Sequence, residues 1–134
     1  MIIGLDLDDT ITELPEFFGI VVGALLDSGH EVHVITFREP GTEEGVRAEL
    51  AELGIRYTDV HLPTGRCKAP EWKAGVAKEL ELDLMIDDSP EVLSEMPESV
   101  RRLWLCDPEI FNLNTCVRAF HGELGSLRRG DATD

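Results

Sequence analysis

The chain has 134 residues, of which 43% are hydrophobic, and it carries a formal net charge of −15 at pH 7. This length fits one compact domain and leaves little room for a second. No apolar stretch approaches the roughly 20 residues of a membrane helix, and the N-terminal residues have no basic region with a long apolar core. We therefore expect one domain over residues 1–127, a disordered tail over 128–134, a cytoplasmic location and no membrane partner.

The charge and the cysteines exclude further classes. A surface this acidic repels long nucleic acids, whereas a small or metal-bound substrate remains compatible with it. The three cysteines, Cys67, Cys106 and Cys116, are odd in number, widely spaced and without a Cys-x-x-Cys pair. They are interpreted as reduced thiols, neither a disulfide framework nor a zinc site.

Short apolar strands alternate with amphipathic helices along the chain, which is typical of parallel β-α units. Strands are predicted over residues 2–7, 32–36, 55–60, 82–86 and 100–106. Helical spacing of apolar residues predicts helices over 14–26, 46–53, 70–80 and 113–124, and Ser89-Pro90 is typical of one more helix start. With right-handed crossovers, these units predict a three-layer α/β/α fold around a five-stranded parallel, Rossmann-like sheet.

Acidic residues follow two of the predicted strands. Asp6 and Asp8 come where the first strand ends, and Asp87 and Asp88 come at the end of the fourth. Because ligands bind beyond the carboxyl ends of parallel strands, these acids fall where a site is expected. Two close carboxylates repel each other unless a cation lies between them, and Mg²⁺ prefers such oxygen ligands. The structural alternatives are a solvated acidic loop and, for Asp88, a helix cap that competes with Ser89.

Other polar residues lie near the same predicted edge. Thr36 ends the second strand, and its hydroxyl is suited to hold a phosphate oxygen, with Arg38 adding a bidentate contact. Lys68 and Lys73 frame the start of the helix that carries Trp72. We prefer Lys68 as the phosphate-binding lysine, because a residue at the start of the helix reaches toward the strand ends, and Lys73 is the second choice.

The order of these residues resembles a known pattern. Asp-x-Asp-x-Thr at 6–10, a threonine, a lysine and then Asp-Asp each lie beside a predicted strand end. This looks like the haloacid dehalogenase-like (HAD) superfamily, over residues 2 to about 105. The resemblance implies a Mg²⁺-dependent phosphomonoester hydrolase that acts on a small phosphorylated metabolite or nucleotide through an aspartyl-phosphate.

The resemblance also implies roles for individual residues. Asp6 would attack phosphorus, and Asp8 would protonate the leaving oxygen and then activate water. Mg²⁺ would be held by Asp6, the backbone carbonyl of Asp8, and Asp87, with Asp88 close by or bridged by water. Thr36 and a lysine would bind the transferring phosphoryl group.

The same resemblance bears on the substrate. The segments 11–31 and 37–67 leave no room for a substantial cap domain, so a capless member is expected. The loop over 35–42 resembles that of the polynucleotide kinase 3′-phosphatase branch, in which an arginine and a glycine-threonine pair follow the second motif. This match implies phosphate binding by Arg38, and a nucleotidase-like substrate is also compatible.

Two other functions remain open at this point. In a receiver-type phosphoacceptor domain, Asp8 and Asp9 would form the acid pair and Asp59 would be phosphorylated. In a non-catalytic binding protein on the same fold, the metal would bind without turnover. A homodimer through the last predicted helix is a further possibility, because the apolar face of that helix needs a partner or a core to cover it.

Overall fold

A parallel sheet of five strands forms the centre of the molecule in the computed structural model, which describes residues 1–112. The strands are β1 (Ile2–Leu5), β2 (Glu31–Ile35), β3 (Asp59–His61), β4 (Leu84–Asp87) and β5 (Arg101–Trp104). They lie in the order β3-β2-β1-β4-β5, and each neighbouring pair is parallel. The predicted α/β class with a five-stranded parallel, Rossmann-like sheet is confirmed.

Helices cover both faces of this sheet. They are α1 (Pro15–Asp27), α2 (Glu43–Glu52), α3 (Ala69–Leu80) and α4 (Pro90–Ser94). Phe18 and Val22 of α1, with Val46 and Leu50 of α2, belong to one apolar cluster with β1, β2 and β3. A second cluster joins α3 and α4 to the other face, where Met85 is fully buried. The two clusters are the two interfaces of a three-layer fold.

Gly4, in the middle of β1, allows the second cluster to pack closely against the strand. A Cβ atom at this position would lie 2.6 Å from Cδ1 of Leu82 and 2.7 Å from Sδ of Met85. Real Cβ atoms do not approach other heavy atoms this closely, so a larger residue would push both side chains away. The glycine therefore lets Leu82, which precedes β4, and Met85 of β4 pack directly against the central strand.

The strands are shorter or shifted relative to the predicted ranges. β1 ends at Leu5 and not at residue 7, and β4 includes Asp87. The largest error concerns β3, predicted over 55–60 and observed over Asp59–His61. The Ile55 N–H donates to Leu50 O at 2.9 Å, so the start of the predicted range closes the end of α2 and is not free to join the sheet.

Several predictions fall on residues 113–134, outside the part of the chain that the structure describes. They are the last helix over 113–124, the homodimer built on it, the tail over 128–134 and the thiol of Cys116. The single-domain extent over 1–127 likewise stays a prediction. Within residues 1–112, none of the helices has both the length and the apolar character that crossing a bilayer requires.

The topology places the ends of β1 and β4 side by side. The chain forms β1, β2 and β3 on one side and then crosses to the other side of β1 to form β4. Leu5 pairs with Ile86, and the Asp6 N–H donates to Ile86 O at 3.0 Å. Asp6 and Asp87 therefore meet at the point where the strand order reverses, which is where open α/β sheets bind ligands.

Candidate functional site

Asp6, Asp87 and Lys73 form a buried ionic cluster at the carboxyl edge of the sheet. The Lys73 ammonium donates to Asp6 Oδ1 at 2.6 Å and to Asp87 Oδ2 at 2.8 Å. The three side chains are 4%, 5% and 1% exposed for Lys73, Asp6 and Asp87, respectively. The other Asp87 oxygen accepts the Ser89 N–H at 2.9 Å, which ties this carboxylate to the start of α4.

The turn that follows β1 brings a hydroxyl group into the cluster. The turn covers Leu7–Ile11 and is closed by the Thr12 N–H, which donates to Leu7 O at 3.1 Å. Asp9 adopts a left-handed conformation with φ of 62°, a region in which aspartate is more readily accommodated than most residues. Through this turn, the Thr10 hydroxyl reaches Asp6 Oδ2 at 2.9 Å and lies 3.4 Å from Asp88 Oδ1.

Burial sets the charge state of this cluster. It raises the pKa of Asp6 to about 7, although the nearby Lys73 ammonium acts in the opposite direction. Burial also raises the pKa of Asp88. For Lys73, burial acts to lower the pKa, but the charges of Asp6 and Asp87 together outweigh it and the net shift is upward. The lysine is therefore a permanent cation, whereas Asp6 can exchange a proton near neutral pH.

These carboxylates have the chemistry of a divalent-cation site. Asp6, Asp87 and Asp88 each offer an oxygen, and these oxygens lie within 4.8 Å of one another. With all three ionised, they face one ammonium group and keep two negative charges, which a single divalent cation would offset. An all-oxygen set from two strand ends suits Mg²⁺. The residues present therefore fit the predicted cofactor.

Lys73, and not Lys68, is the lysine that the structure places in the cluster. Lys68 precedes α3 as its N-cap residue and its side chain is exposed. In a helix, each Cα–Cβ bond tilts toward the N-terminus, so a long side chain one turn inside the helix extends back to the strand ends. The preference for Lys68 neglected side-chain direction, and the role of either lysine in phosphate binding stays a prediction.

Asp8 and Arg38 pair with each other and stay outside the carboxylate cluster. Arg38 donates from Nε to Asp8 Oδ2 at 2.8 Å and from Nη2 to Asp8 Oδ1 at 2.7 Å, and it also binds Glu49 at 3.0 Å. The Arg38 hydrogen bonds lower the pKa of Asp8. The Asp8 carboxylate is therefore an ionised partner of arginine here, whereas the expected roles of Asp8 as a proton donor and as a metal ligand through its backbone carbonyl stay predictions.

Thr36 has an unsatisfied hydroxyl at the same edge. It is fully buried at the end of β2, and its N–H donates to His61 O at 3.1 Å. Among the described residues, its Oγ1 is the one buried side-chain polar atom without a hydrogen-bond partner. Leaving such a group unpaired is costly, so this hydroxyl is suited to a ligand oxygen. The prediction that Thr36 binds phosphate stays a prediction, with an orphaned donor in support.

Asp59 lies at the opposite end of its strand. It begins β3, whereas His61 ends it. Its carboxylate accepts the Val60 N–H at 2.8 Å and Arg47 Nη2 at 3.0 Å. The phosphoacceptor position expected for a receiver-type domain is thus occupied by an exposed ion pair away from the strand ends that carry the cluster.

Thr10 had no predicted role, and Lys73 was only the second choice of lysine. Both had a signal in the sequence. Thr10 is the last residue of the Asp-x-Asp-x-Thr motif, four positions after Asp6. Lys73 lies on the same helical face as Val76 and Ala77, and a lysine on an apolar face needs buried partners. Trp104 was also missed as a neighbour of the site, where its indole N–H donates to Asp88 O at 2.8 Å.

Comparison with known proteins gives a relationship of fold. No protein-family model matches the chain, and no curated protein matches it. Among solved structures, the chain resembles a universal stress protein from Archaeoglobus fulgidus with a TM-score of 0.51 and 13% sequence identity. The match covers 76% of this chain and 92% of that one. At this identity, the likeness concerns the fold alone.

This finding overturns the family expected from the sequence. The structural neighbour is a universal stress protein and not a haloacid dehalogenase-like hydrolase, so that assignment is wrong, together with the polynucleotide kinase 3′-phosphatase and nucleotidase-like branches. The classification as a phosphatase, and with it the terms hydrolase and HAD-like, is corrected for the same reason. Acids at strand ends arise on many parallel sheets, and a fold does not fix the chemistry that it carries.

Proposed function

We propose that the chain binds Mg²⁺ and a small phosphorylated molecule at the carboxyl edge of β1 and β4, and that the Asp6 carboxylate accepts the phosphoryl group. The carrying observation is the cluster of Asp6, Asp87 and half-buried Asp88, in which one buried ammonium group contacts the first two carboxylates. Long nucleic acids are not proposed as ligands, because the chain carries a net charge of −15.

Charge balance supports the metal. When all are ionised, the buried Asp6 and Asp87 carboxylates and the half-buried Asp88 carboxylate exceed the charge of the one buried lysine by two negative charges. Such an excess is unfavourable unless a proton or a cation offsets it, and the raised pKa of Asp6, near 7, shows the proton alternative. Bound Mg²⁺ would be held by Asp6, Asp87 and Asp88, and it would screen the repulsion between a phosphate dianion and a carboxylate.

Two hydrogen-bond donors support the proposal that a phosphoryl group binds here. Lys73 lies 2.6 Å from the proposed acceptor and keeps its proton at every physiological pH. The Thr36 hydroxyl is buried at the adjacent strand end and lacks a partner. A phosphoryl group next to Asp6 would offer oxygens to both, so the unfavourable state of the hydroxyl would be relieved on binding. Positioned donors of this kind stabilise a transferring phosphoryl group.

Asp6 is a better acceptor than Asp87 because of how each is held. Asp87 accepts a backbone N–H from Ser89, a donor that moves only with the start of α4. Asp6 is held by the side chains of Thr10 and Lys73, which can rearrange without moving the backbone. In the proposed step, an Asp6 oxygen forms a bond to phosphorus while the bond to the leaving oxygen breaks. The leaving group keeps that electron pair.

The leaving group must be able to depart as an anion or to take its proton from water. Asp8 does not serve as the proton donor in this arrangement, because the two Arg38 hydrogen bonds lower its pKa. Acyl phosphates meet this requirement, since the released carboxylate is a stable anion. Acetyl phosphate is therefore a suitable donor with which to test the proposed transfer.

The test is phosphorylation of purified protein. Wild type is incubated with acetyl phosphate with Mg²⁺ or with EDTA, and intact mass and peptide mapping locate any phosphoryl group. We expect a single Mg²⁺-dependent group on Asp6, sensitive to hydroxylamine, as acyl phosphates are. Beryllofluoride, which mimics an aspartyl phosphate, gives a donor-independent readout by fluorine NMR. If folded wild type shows no phosphoryl label and no beryllofluoride binding, the proposal is overturned.

Matched variants separate this proposal from its alternatives. Asp6→Asn should lose the label, whereas Asp59→Asn should keep it, because Asp59 lies at the other end of its strand. Label that persists in Asp6→Asn and disappears in Asp59→Asn would identify a receiver-type domain instead. Mg²⁺ and phosphate binding without any covalent product would identify a binding protein.

A further inference from the structure

A second cavity lies beside the proposed phosphate site and has a different lining. It has a volume of about 560 Å³ and is formed by the loops that follow β2 and β3. Phe37, Arg38, Pro40, Pro63, Arg66 and Cys67 are among the residues that line it. We propose that this cavity receives a flat aromatic ring of the phosphorylated ligand, with Phe37 as the residue that selects for the ring. This inference rests on the proposed phosphate site.

The two sites are contiguous along the chain and through side chains. Phe37 directly follows Thr36, whose buried hydroxyl is proposed to donate a hydrogen bond to the phosphate. Arg38 is one of the residues that line the cavity, and its guanidinium group also binds the Asp8 carboxylate at 2.7 and 2.8 Å. In the proposed arrangement, a ligand with its phosphoryl group at Asp6 extends past Thr36 toward Phe37 and this cavity.

The lining has the chemistry of a ring-binding site. Phe37 is 44% exposed, and its ring centroid lies 6.1 Å from that of Trp72, so the phenyl group is supported from one side while still accessible to a ligand. Pro40, which is exposed, adds flat apolar surface. Within residues 1–112, the Arg66 side chain has no hydrogen bond or ion pair. Phenyl rings and guanidinium groups both stack on aromatic ligands.

A larger cavity nearby is unsuited to the same ligand. It measures about 770 Å³ and lies between α2 and α3. Its lining includes Glu43, Glu44 and Glu79, which would repel a phosphorylated molecule. The smaller cavity is lined by one glutamate, Glu39, and two arginines. Arg38 is already paired with Asp8 and Glu49, and Arg66 is the cation without a partner within residues 1–112, so this cavity repels an anionic ligand less than the larger one does. Its volume also lies within the range of small-molecule sites.

The occupant that fits is a monophosphate of nucleotide size, with an aromatic ring attached through a short linker. A sugar phosphate of the same charge would fill the phosphate site and leave the Phe37 surface exposed to water. AMP and ribose 5-phosphate form a matched pair of probes, because they carry the same phosphate on the same sugar and differ in the ring.

The experiment measures binding of AMP, ribose 5-phosphate and inorganic phosphate to the full chain in excess Mg²⁺, by calorimetry. We expect AMP to bind about tenfold more tightly than ribose 5-phosphate, the effect of one base stacked on one aromatic side chain. Phe37→Ala should reduce the affinity for AMP to that for ribose 5-phosphate and leave the affinity for ribose 5-phosphate unchanged. Phe37→Tyr, which keeps the ring, should retain the preference.

Control variants match the substituted residues. Phe17→Ala removes another exposed phenyl group, on α1, and should change neither affinity. Arg66→Ala should weaken AMP binding more than ribose 5-phosphate binding, whereas Arg101→Ala, at an exposed arginine on β5, should have no effect. Alkylation provides a location, since AMP should protect the exposed Cys67 thiol in the lining and not Cys106.

The outcomes distinguish this inference from the function on which it rests. Equal affinity of wild type for AMP and ribose 5-phosphate, with both lost in Asp6→Asn, would overturn the ring site and leave the phosphate site intact. Equal weakening of both ligands by Phe37→Ala would also overturn it. If none of the three probes binds to folded wild type, the proposed phosphate site itself fails and the ring site falls with it.

Discussion

Two clusters in this molecule have the same pattern of charges, but one is buried and the other is exposed to solvent. In each, one basic side chain bridges two carboxylates. Lys73 contacts Asp6 and Asp87 at 2.6 and 2.8 Å. Arg47 contacts Glu43 and Asp59 at 2.9 and 3.0 Å, near the start of β3. The first three side chains are at most 5% exposed, whereas those of the Arg47 cluster are 39–53% exposed.

The same pairing shifts carboxylate pKa values in opposite directions. A backbone hydrogen bond from Val60 and the Arg47 contact lower the pKa of Asp59, as expected for an ion pair in water. The pKa of Asp6 rises to about 7 despite its shorter contact with Lys73, because burial removes the carboxylate from water. Burial therefore decides the direction of the carboxylate pKa shift in each cluster, and the distance between the charges does not.

The largest expected effect is that of Lys73→Met. This substitution keeps the volume of the side chain but leaves Asp6 and Asp87 buried without their shared cation. Removing one partner of a buried pair costs about 3–5 kcal/mol. Chemical unfolding of the metal-free protein in EDTA would measure this as a loss in the free energy of unfolding.

Lys78→Met is the matched control on the same helix. Lys78 lies in the last turn of α3 and its side chain is exposed. We expect a change within about 0.5 kcal/mol, as for most surface substitutions. Equal small losses in the two lysine variants would show that the buried carboxylates are neutral in the metal-free protein, which would contradict the charge balance proposed here.

Mg²⁺ should stabilise wild type by a somewhat smaller amount. A ligand that binds only the folded state adds about 2.7 kcal/mol at a concentration 100 times its Kd. Asp88→Asn should reduce the stabilisation, because it removes one of the three carboxylates that face each other. Asp59→Asn should preserve it. Thermal unfolding across a Mg²⁺ series measures both, and equal stabilisation of wild type and Asp88→Asn would remove Asp88 from the metal site.

The fold could be predicted because its signals are repeated along the chain. Val32 and Val34 illustrate a buried parallel strand, and Phe18 and Val22 illustrate one face of a helix. The strand ends were harder to place, because hydrogen bonds to neighbouring elements decide them. Ile55 shows this, since its N–H closes α2 and so cannot extend β3.

The part of the site that lies at the strand ends could be predicted from the sequence. Asp6 and Asp87 meet because parallel strands present their carboxyl ends at one edge. Asp8 was expected on the same side as Asp6 by alternation, but β1 has already ended at Leu5 and the turn directs Asp8 to Arg38. Alternation holds only inside a strand. The family was mistaken for a related reason, because short motifs at strand ends do not determine the protein that carries them.

A smaller effect on stability is expected from the protonation of His61, which ends β3, the strand that Asp59 of the Arg47 cluster begins. Burial, aided by the charge of His33, lowers the pKa of His61 from its ordinary value of 6.5. The two rings share a hydrogen bond of 2.9 Å between His33 Nδ1 and His61 Nε2. Because the unfolded chain binds the proton more readily, the stability contributed by neutral His61 is present above pH 6.5 and is lost as pH falls below it.

Denaturant unfolding of wild type and His61→Asn at several pH values tests this dependence. The variant should show a smaller loss of stability between about pH 7.5 and pH 5.5, because the titrating ring is gone. His30→Asn is the control, since His30 lies outside this pair and contacts the N-terminal amine. A pH dependence that is unchanged in His61→Asn would assign the acid sensitivity to other groups.

The smallest effect is expected from Arg47→Ala. Exposed ion pairs contribute about 0–1 kcal/mol, and 1 M salt screens what remains. A double-mutant cycle with Asp59→Ala, at low and at high salt, isolates the coupling of the two side chains. Coupling above about 2 kcal/mol that persists in high salt would contradict the expectation that the exposed Arg47 cluster is weaker than the buried Lys73 cluster. In that case Tyr57, whose ring lies 5.6 Å from the Arg47 guanidinium carbon, would shield the pair from water, and exposed fraction alone would not separate the two clusters.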